Sequence, residues 1–307
     1  MISRTSGFLS AKTGEPELSK TRPQFPVLRS LARRKVALVG VIVIMLMILV
    51  AIFAPFLTPY DPAEINIVNR LNPPGWTSPD GDVYVLGTDS LGRDVLTRLM
   101  YGTRVSLTVG ITAVLIAGTI GVSLGLISGY FGGWLDAVIM RLADIQFAFP
   151  FILLAIAVLA VMGPGLSNLI LVLGVNGWVR YGRITRSQVL SFREEDFVLA
   201  ARSIGTGSWR IIFQHILPNS WGPVIVIASF MVASTIISEA ALSFLGLGVP
   251  PDIPSWGAML ADGRDYIERA PWLSIYAGLS ISIVVLSINV VGDWMRDYLD
   301  PHLKNIM

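Results

Sequence analysis

The stretch at 36–57 holds 22 consecutive residues without a charged side chain. An α-helix rises about 1.5 Å per residue, so this segment is ~33 Å long as a helix, while the hydrocarbon core of a bilayer is about 30 Å thick. A cleaved signal peptide has a shorter apolar stretch and a small-residue cleavage site, whereas this stretch ends in Ala-Pro-Phe-Leu. We therefore expect an uncleaved transmembrane helix near the N-terminus.

The composition extends this expectation to most of the chain. Apolar residues make up 53% of the 307 residues and charged residues 14%, against about 25% charged residues in a typical soluble domain. Five more apolar segments suit transmembrane helices, at 105–129, 137–162, 166–179 with a helical continuation to about 190, 221–247 and 272–291. We predict an all-α polytopic membrane protein with six transmembrane helices.

Lysine and arginine residues are distributed unevenly between the segments that flank these helices. With both termini inside, sixteen of the 23 fall in inner segments and five in outer segments. Cytoplasmic loops carry the excess of these residues in membrane proteins, so we predict an N-in, C-in chain. The predicted divisions are a basic inner tail (1–35), a first helix with a long outer segment (36–103), a membrane core with an inner loop at 191–219 (104–294), and an inner C-terminal tail (295–307).

The composition also excludes several classes of site. The chain has no cysteine and only two histidines, which excludes disulfides, cysteine–zinc sites, thiol catalysis and His-rich metal sites. It has no Walker A sequence, so it does not bind ATP by that chemistry, and an energised role requires partner chains. A net charge of +2 is too small to imply nucleic-acid binding. We expect no catalytic residue, no metal site and no cofactor on this chain.

The inner loop has the pattern of two short helices joined by a bend. Ser191 and Glu194 have the spacing of a capping box, which predicts the start of a helix. Gly205 and Gly207 are expected to end this helix, and Ser208 is a candidate cap for the next one. We therefore predict a helix-turn-helix elbow on the inner side of the membrane.

Apolar residues recur at helical spacing in both predicted helices of the elbow. The first helix has a narrow apolar face made of Phe197, Ala200, Ala201 and Ile204. The second has one face made of Trp209, Ile212, Phe213 and Ile216, and Pro218 then marks the start of the next span. The residues alone leave two interpretations open: a linker that packs on its own bundle, or a surface that another protein approaches closely.

The elbow also contains a recognisable motif. Ala200-Ala201-Arg-Ser-Ile-Gly205, followed by Leu217-Pro218, resembles the EAA loop of ABC importer permeases. Leu199 stands where that motif has Glu, and His215 stands where it has Ile. Both departures are usual in the peptide/nickel branch of these permeases.

Other segments are similar to the same branch. The strings at 86–107, 140–150 and 238–248 resemble its outer segment, its third span and the outer end of its fifth span. The resemblance covers about 29–300. The basic tail, the first span and the Pro-rich outer loop resemble the C-type subunit of the permease pair.

The resemblance implies a fold and an assembly. The fold is a type I ABC importer permease (MetI-like) core with a cytoplasmic coupling helix, in a bacterial or archaeal cytoplasmic membrane. The implied partners are membrane lipid, a homologous B-type permease subunit, two ABC ATPase subunits that bind ATP and Mg, and an extracytoplasmic substrate-binding protein. The implied cargo is a dipeptide, a longer peptide or a similar small solute such as glutathione or chelated nickel.

The resemblance also assigns roles within the elbow. The coupling helix lies in a cleft of one ATPase subunit, with Phe197 and Ile204 as candidate anchors. Close approach is allowed by three small residues, Ala200, Ala201 and Gly205. Leu217 and Pro218 complete the motif.

Polar and small residues inside the predicted spans leave further interpretations open. Glu239 stands alone in an apolar span, where it either lines the translocation path or accepts hydrogen bonds as a structural brace. A stripe of small residues follows one face of the second span, where it allows tight helix packing or lines the path: Ala113, Ala117, Gly121, Gly125 and Gly129. Arg141 and Asp144, three residues apart, are expected to pair.

Two other classes of function are weighed against the importer. An ATP-independent channel or ion-coupled carrier usually shows paired broken spans or several buried ionisable residues, and in this sequence Glu239 is the isolated case. A membrane-embedded enzyme is disfavoured because no nucleophile–base arrangement is evident.

Overall fold

The structure is a computed structural model that describes residues 30–32 and 34–299. The predictions that concern residues 1–29 and 300–307 lie outside the described residues. The described helices are α1 (Lys35–Leu57), α2 (Val95–Phe131), α3 (Gly133–Ala148), α4 (Phe151–Met162), α5 (Leu166–Phe192), α6 (Asp196–Ser203), α7 (Ser208–Phe244), α8 (Trp256–Arg264) and α9 (Pro271–Leu299). Between α1 and α2 lie a 3₁₀ turn (Ile67–Asn69) and an antiparallel hairpin of β1 (Trp76–Thr77) and β2 (Val83–Tyr84).

Four of the described helices are long and apolar enough to cross a membrane, namely α1, α2, α7 and α9. The pair α3 and α4 adds a fifth span if the bent pair counts as one. α5 does not reach the same apolar content over its 27 residues, because Arg180, Arg183 and Arg186 interrupt it. It does continue past the predicted 166–179, close to the limit of about 190 expected from the sequence.

The segment predicted at 137–162 as one transmembrane span is divided by a sharp bend. α3 ends at Ala148 and α4 begins at Phe151, and their axes meet at 90°. The cause is local, because the residue before a proline is driven out of the helical conformation. Phe149 accordingly has an extended backbone (ψ 132°) in front of Pro150.

α2 lies at the centre of the bundle, where it packs against α5 and α7. It is longer than the predicted 105–129, and the predicted division between 103 and 104 lies inside it. Asp94 caps its start, because one carboxylate oxygen accepts bonds from the backbone N–H and the hydroxyl of Thr97 at 2.7 and 2.6 Å. It ends at Gly132, whose φ of +64° turns the chain into α3.

One end of the bundle brings the elbow together with both ends of the described chain. Arg34, just before α1, pairs with Asp297 near the end of α9. A cavity between α5, α7 and α9 is lined by Phe192, Asn219 and Arg296. The residues that flank the elbow therefore lie at the same end as the start of α1 and the end of α9.

The opposite end joins the two long connecting segments. Arg93 pairs with Asp89 at 2.7 Å and with Asp262 of α8 at 3.3 Å. The indole N–H of Trp256 donates to the carbonyl of Leu99 at 3.1 Å. The segment before α2 and the segment around α8 are thus one packed unit.

Candidate functional site

The elbow consists of α6, a short turn and the first turns of α7. α6 begins at Asp196, after Glu195, whose backbone is extended (ψ 147°) and whose side chain makes no capping bond. The predicted capping box of Ser191 and Glu194 is wrong, because α5 continues as helix past Ser191. The helix propensity of the preceding span overrides the local signal.

Gly205 ends α6, as predicted. Its φ of +77° lies in the left-handed region that favours glycine. Its N–H donates to the carbonyl of Arg202 at 2.9 Å, and the N–H of Thr206 donates to that of Ala201 at 3.0 Å. These bonds satisfy carbonyls that the end of the helix leaves without a partner.

The four residues predicted as one apolar face of α6 divide between two environments. Ala201 is buried together with Val198, in a cluster with the C-terminal ends of α2 and α5. Ala200 is exposed, and the side chains of Phe197 and Ile204 are 40% and 84% exposed. The predicted single face is therefore wrong, since Val198 supplies the packed side and most of the predicted face points away from the bundle.

The predicted apolar face of the second helix divides in the same way. α7 begins at Ser208 itself, so that residue is the first of the helix and not its cap. Ile212 and Ile216 are buried in the same cluster as Val198, while Trp209 and Phe213 are exposed and stack with ring centroids 6.0 Å apart.

Leu217 and Pro218 lie inside α7, although the sequence placed the start of a span at Pro218. Ile211–Ile216 forms a π-helical segment, and the N–H of Leu217 donates to the carbonyl of Ile212. Proline has no N–H, so a regular α-helical bond is lost at this position. The wider π turn is the local adjustment, and such segments often mark functional sites.

We define the elbow surface as Phe197, Ala200, Ile204 and Gly205, all of which are exposed. The elements that carry it are held firmly on the bundle. The guanidinium of Arg202 lies over the ring of Tyr130 at 5.2 Å from its centroid, and Trp209 contacts Phe131 edge to face. The elbow surface is thus an apolar patch on a rigid base.

Glu239 lies in the interior and is fully buried. One carboxylate oxygen accepts a hydrogen bond from the hydroxyl of Ser106 on α2 at 3.2 Å. The other accepts one from Ser243 on the same helix at 2.8 Å. The side chain therefore joins α7 to α2 and has no contact with open space.

The stripe of small residues on α2 lies against α5. A Cβ added to Gly125 would come within 2.6 Å of the carbonyl oxygen of Gly182 and 2.7 Å of the Cβ of Thr185. A Cβ added to Gly121 would come within 2.5 Å of the Cβ of Tyr181. The two helices therefore touch backbone to backbone at these glycines.

Arginines on α5 change the predicted ion pairing. Asp144 pairs with Arg183 at 2.6 Å, so the expected pair with Arg141 on its own helix is wrong. Arg186 pairs with Asp136 of α3 at 2.6 Å through two of its nitrogens. Ion pairs between helices thus replace the local pair, since α5 presents a row of cations to α3.

Arg180, the first of these arginines, is the residue that the sequence interpretation missed. The sequence interpretation counted it only among the positive charges of the inner segment that begins at residue 180, whereas it lies about midway along α5. Arg180 lines a cavity of about 230 Å³ between the α3–α4 bend, α5 and α7. Its spacing of three residues from Arg183 was the available signal, because that spacing fits a continued helix.

The described residues contain no group of three or more His, Cys, Asp or Glu side chains placed to hold a metal ion. The arrangement as a whole offers a rigid apolar surface at one end, a polar cavity midway along the bundle and a packed brace around Glu239. An arrangement of this kind can bind a partner protein or a solute, and its packed helices can move as a unit.

Two family models match the chain. The model described as binding-protein-dependent transport system inner membrane component matches residues 121–305. The model described as N-terminal TM domain of oligopeptide transport permease C matches residues 26–74. Together they account for the core with the elbow and for α1 with the start of the long connecting segment.

Curated relatives are similar over almost the whole chain. The dipeptide transport system permease protein DppC of Alkalihalophilus pseudofirmus is 46% identical over 291 residues, which cover 95% of this chain and 94% of that protein. The oligopeptide transport system permease protein OppC of Bacillus subtilis is 41% identical over 270 residues, which cover 88% and 87%.

A solved structure is similar in fold. It is that of the MetNI methionine ABC transporter in inward-facing conformations, with a TM-score of 0.54 at 17% identity, covering 66% of this chain and 96% of that one. The expectation of a MetI-like fold is confirmed. The first family model matches more than half of the chain, and two relatives are more than 40% identical to it over most of its length. This multi-pass inner-membrane chain therefore belongs to the family of inner-membrane components of binding-protein-dependent transport systems.

Proposed function

We propose that this chain is a permease subunit of an ATP-driven ABC importer that moves peptides across the cytoplasmic membrane. The names of its dipeptide and oligopeptide permease relatives support this cargo. The observation that carries the proposal is the elbow surface, because a coupled membrane subunit needs a rigid surface that a motor protein can hold. Packed interfaces of this kind transmit strain, whereas soft loops do not.

We infer that the chain crosses the membrane six times with both termini inside. In this topology the bent pair α3–α4 is one crossing and α5 is another. The excess of Lys and Arg in the inner segments supports this orientation. The common end shared by the start of α1, the end of α9 and the flanks of the elbow supports it as well.

Coupling to ATP hydrolysis takes place at the elbow surface. Phe197 and Ile204 project from α6 as apolar anchors, and Ala200 and Gly205 let a partner backbone approach. Ala201, Leu217 and Pro218 shape the elbow from within, because they lie on its packed side or on the π segment of α7. Closure of the ATPase pair then moves each elbow and, through it, the packed ends of α2 and α5.

The subunit works as part of an assembly. The partners are a homologous B-type permease subunit, two ABC ATPase subunits that bind ATP and Mg, and an extracytoplasmic substrate-binding protein. This chain contributes the path and the coupling surface, while hydrolysis belongs to the ATPase subunits. The unit formed by α8 and the segment before α2 is the surface that faces the binding protein.

The polar and small residues within the spans have structural roles in this account. Glu239 is a brace between α7 and α2, because its two oxygens are occupied by serine hydroxyls. Gly121 and Gly125 allow close packing of α2 on α5 and lie away from the path. These roles keep the bundle rigid enough to move as a unit.

The substitution Ile204→Glu in the reconstituted complex tests the coupling role. Burying an isoleucine side chain contributes about 1.5–3 kcal/mol, and a charge in its place adds a desolvation cost. We expect the amount of ATP hydrolysed per peptide imported to rise at least tenfold. Ser191→Glu adds the same charge at an exposed position before the elbow and is expected to leave this ratio within twofold of the unmodified complex. Normal coupling in the Ile204→Glu complex would overturn the proposal.

A further inference from the structure

Arg180 differs from the other two arginines of its row in having no carboxylate partner. Arg183 and Arg186 pair with Asp144 and Asp136 of α3, whereas Arg180 forms no ion pair with any described residue. Its Nη1 contacts the sulfur of Met231 at 3.5 Å. A cation midway along a membrane helix is costly unless it faces water or a counter-charge. Among the described residues the exposed guanidinium thus has no counter-charge, and an anion that reaches it would supply one.

The space in front of Arg180 is a cavity of about 230 Å³. Its walls come from three elements, namely the α3–α4 bend, α5 and the stretch of α7 from Met231 to Ser238. Among the residues that line it, all within the described range, Arg180 carries the only charge. An anion in this cavity would meet one cation and no competing carboxylate.

The wall opposite α7 is held in place by a hydrogen-bond network. The side-chain nitrogen of Gln146 donates to the backbone carbonyl and the side-chain oxygen of Asn176 at 2.8 and 3.0 Å. Its oxygen accepts a bond from the indole N–H of Trp178 at 2.8 Å. The Gln146 side chain is thus fully engaged by its neighbours, and Arg180 remains the charged group of the lining that can bind an anion.

An apolar cleft of about 350 Å³ adjoins the polar cavity. The two share Gln146, Phe151 and Asn176 as a common wall. The cleft continues between α4 and α5 and is lined almost entirely by aliphatic and aromatic side chains. A solute with a carboxylate in the cavity would thus have an apolar space beside it for a side chain.

We propose that Arg180 binds the C-terminal carboxylate of the peptide as it passes through this subunit, with the adjoining cleft accepting a peptide side chain. This proposal rests on the proposed function as a peptide permease. A planar guanidinium binds a carboxylate through two parallel hydrogen bonds, which makes arginine the suitable cation. Arg180 is the one charged residue in an otherwise neutral lining. Different peptides can therefore bind to it through their C-terminal carboxylate and then leave.

The test measures direct binding of a peptide to the complete transporter, assembled in lipid nanodiscs. Nucleotide and binding protein are left out, so that delivery by the binding protein does not contribute to the signal. Saturation-transfer NMR detects weak binding of Ala-Phe and of its C-terminal amide. We expect saturation transfer to Ala-Phe to exceed that to the amide at least fivefold. Arg180→Gln should remove this difference by lowering the signal of the acid, and Arg180→Lys should restore part of it. Arg183→Gln is the matched control, because it removes one charge one turn away, and it should keep the difference.

Equal signals for the acid and the amide with the unmodified complex would overturn the proposal, as would an acid signal unchanged by Arg180→Gln. The second result is expected if Arg180 pairs with a carboxylate of the partner permease subunit. ATP-driven uptake of Ala-Phe with the binding protein present is measured in parallel on the unmodified complex. Loss of the binding difference with intact uptake rejects only the subsite, whereas absence of uptake rejects the peptide-importer function itself.

Discussion

The buried carboxylate of Glu239 on α7 accepts a hydrogen bond from the hydroxyl of Ser106 on α2, at 3.2 Å. Its removal by Glu239→Ala leaves buried hydroxyls without acceptors, at a cost of about 1–3 kcal/mol for each unsatisfied group. We expect the midpoint of thermal unfolding of the assembled transporter to fall. Glu239→Gln keeps an acceptor of the same size and should lose less. If Glu239 acts as a brace, peptide uptake per folded complex should stay within twofold of the unmodified complex in both variants. A selective loss of uptake at normal stability would instead favour a pathway role for Glu239.

The close contact of α2 and α5 gives a prediction with an internal control. Gly125→Ala places a Cβ within 2.6 Å of a backbone carbonyl oxygen of α5, and overpacking of this kind costs about 1–3 kcal/mol. Gly118→Ala on the same helix meets only the ring of Tyr181, at 3.7 Å. We expect Gly125→Ala to reduce the yield of folded complex and the unfolding temperature, and Gly118→Ala to leave both unchanged. Equal behaviour of the two variants would show that the helices are not packed this closely.

The turn after α6 is expected to tolerate alanine at one glycine and not at the other. Neither Gly205 nor Gly207 has a neighbouring atom that a Cβ would meet, but only Gly205 has a positive φ, at +77°. An L-residue in that conformation costs about 1 kcal/mol or more. Gly205→Ala should therefore speed amide hydrogen exchange in α6 about fivefold, and Gly207→Ala should not. Identical exchange in both variants would contradict the assigned end of the helix.

The cap of α2 predicts a pH dependence. Burial raises the pKa of Asp94 above its ordinary value, although hydrogen bonds from Thr97 act in the opposite direction. The folded state then binds this proton more tightly than the unfolded state does, so the stabilising contribution is greatest at low pH and is lost as pH rises through the folded pKa. We expect the free energy of unfolding of the unmodified protein, relative to Asp94→Asn, to fall as pH rises from about 4, the ordinary pKa of an aspartate, through the higher pKa of the folded state. A difference that rises with pH would contradict the assignment, and Asp80→Asn at an exposed position serves as the control.

Apolar content and spacing were sufficient to place most of the helices. The segments predicted at 36–57, 221–247 and 272–291 all fall largely within observed helices. The break at Phe149 and Pro150 was missed because a run of apolar residues conceals a backbone effect that depends on one proline. The apolar part of α5 was predicted as a span and its polar half only as a helical continuation to about 190, because hydropathy does not reveal that Arg183 and Arg186 pair with carboxylates of α3.

The candidate site was only partly accessible from sequence. The motif located the elbow, and Gly205 located its bend, because that position needs a left-handed backbone. Spacing could not tell which side of α6 packs, since Val198 and Phe197 are both apolar and adjacent. Arg180 was assigned by its charge to the inner surface, and its lack of a partner is visible only once the partners of Arg183 and Arg186 are known.

The most direct test of the coupling account is thiol crosslinking from position 204. The chain has no cysteine, so Ile204→Cys gives it a single reactive thiol, and its natural side chain is 84% exposed. In the assembled transporter we expect a short thiol-reactive crosslinker at this position to join the chain to an ATPase subunit, while Asp80→Cys at the opposite end of the bundle gives no such product. Absence of the ATPase adduct from position 204, or labelling of that thiol by an impermeant reagent added only to the outer side, would contradict the account.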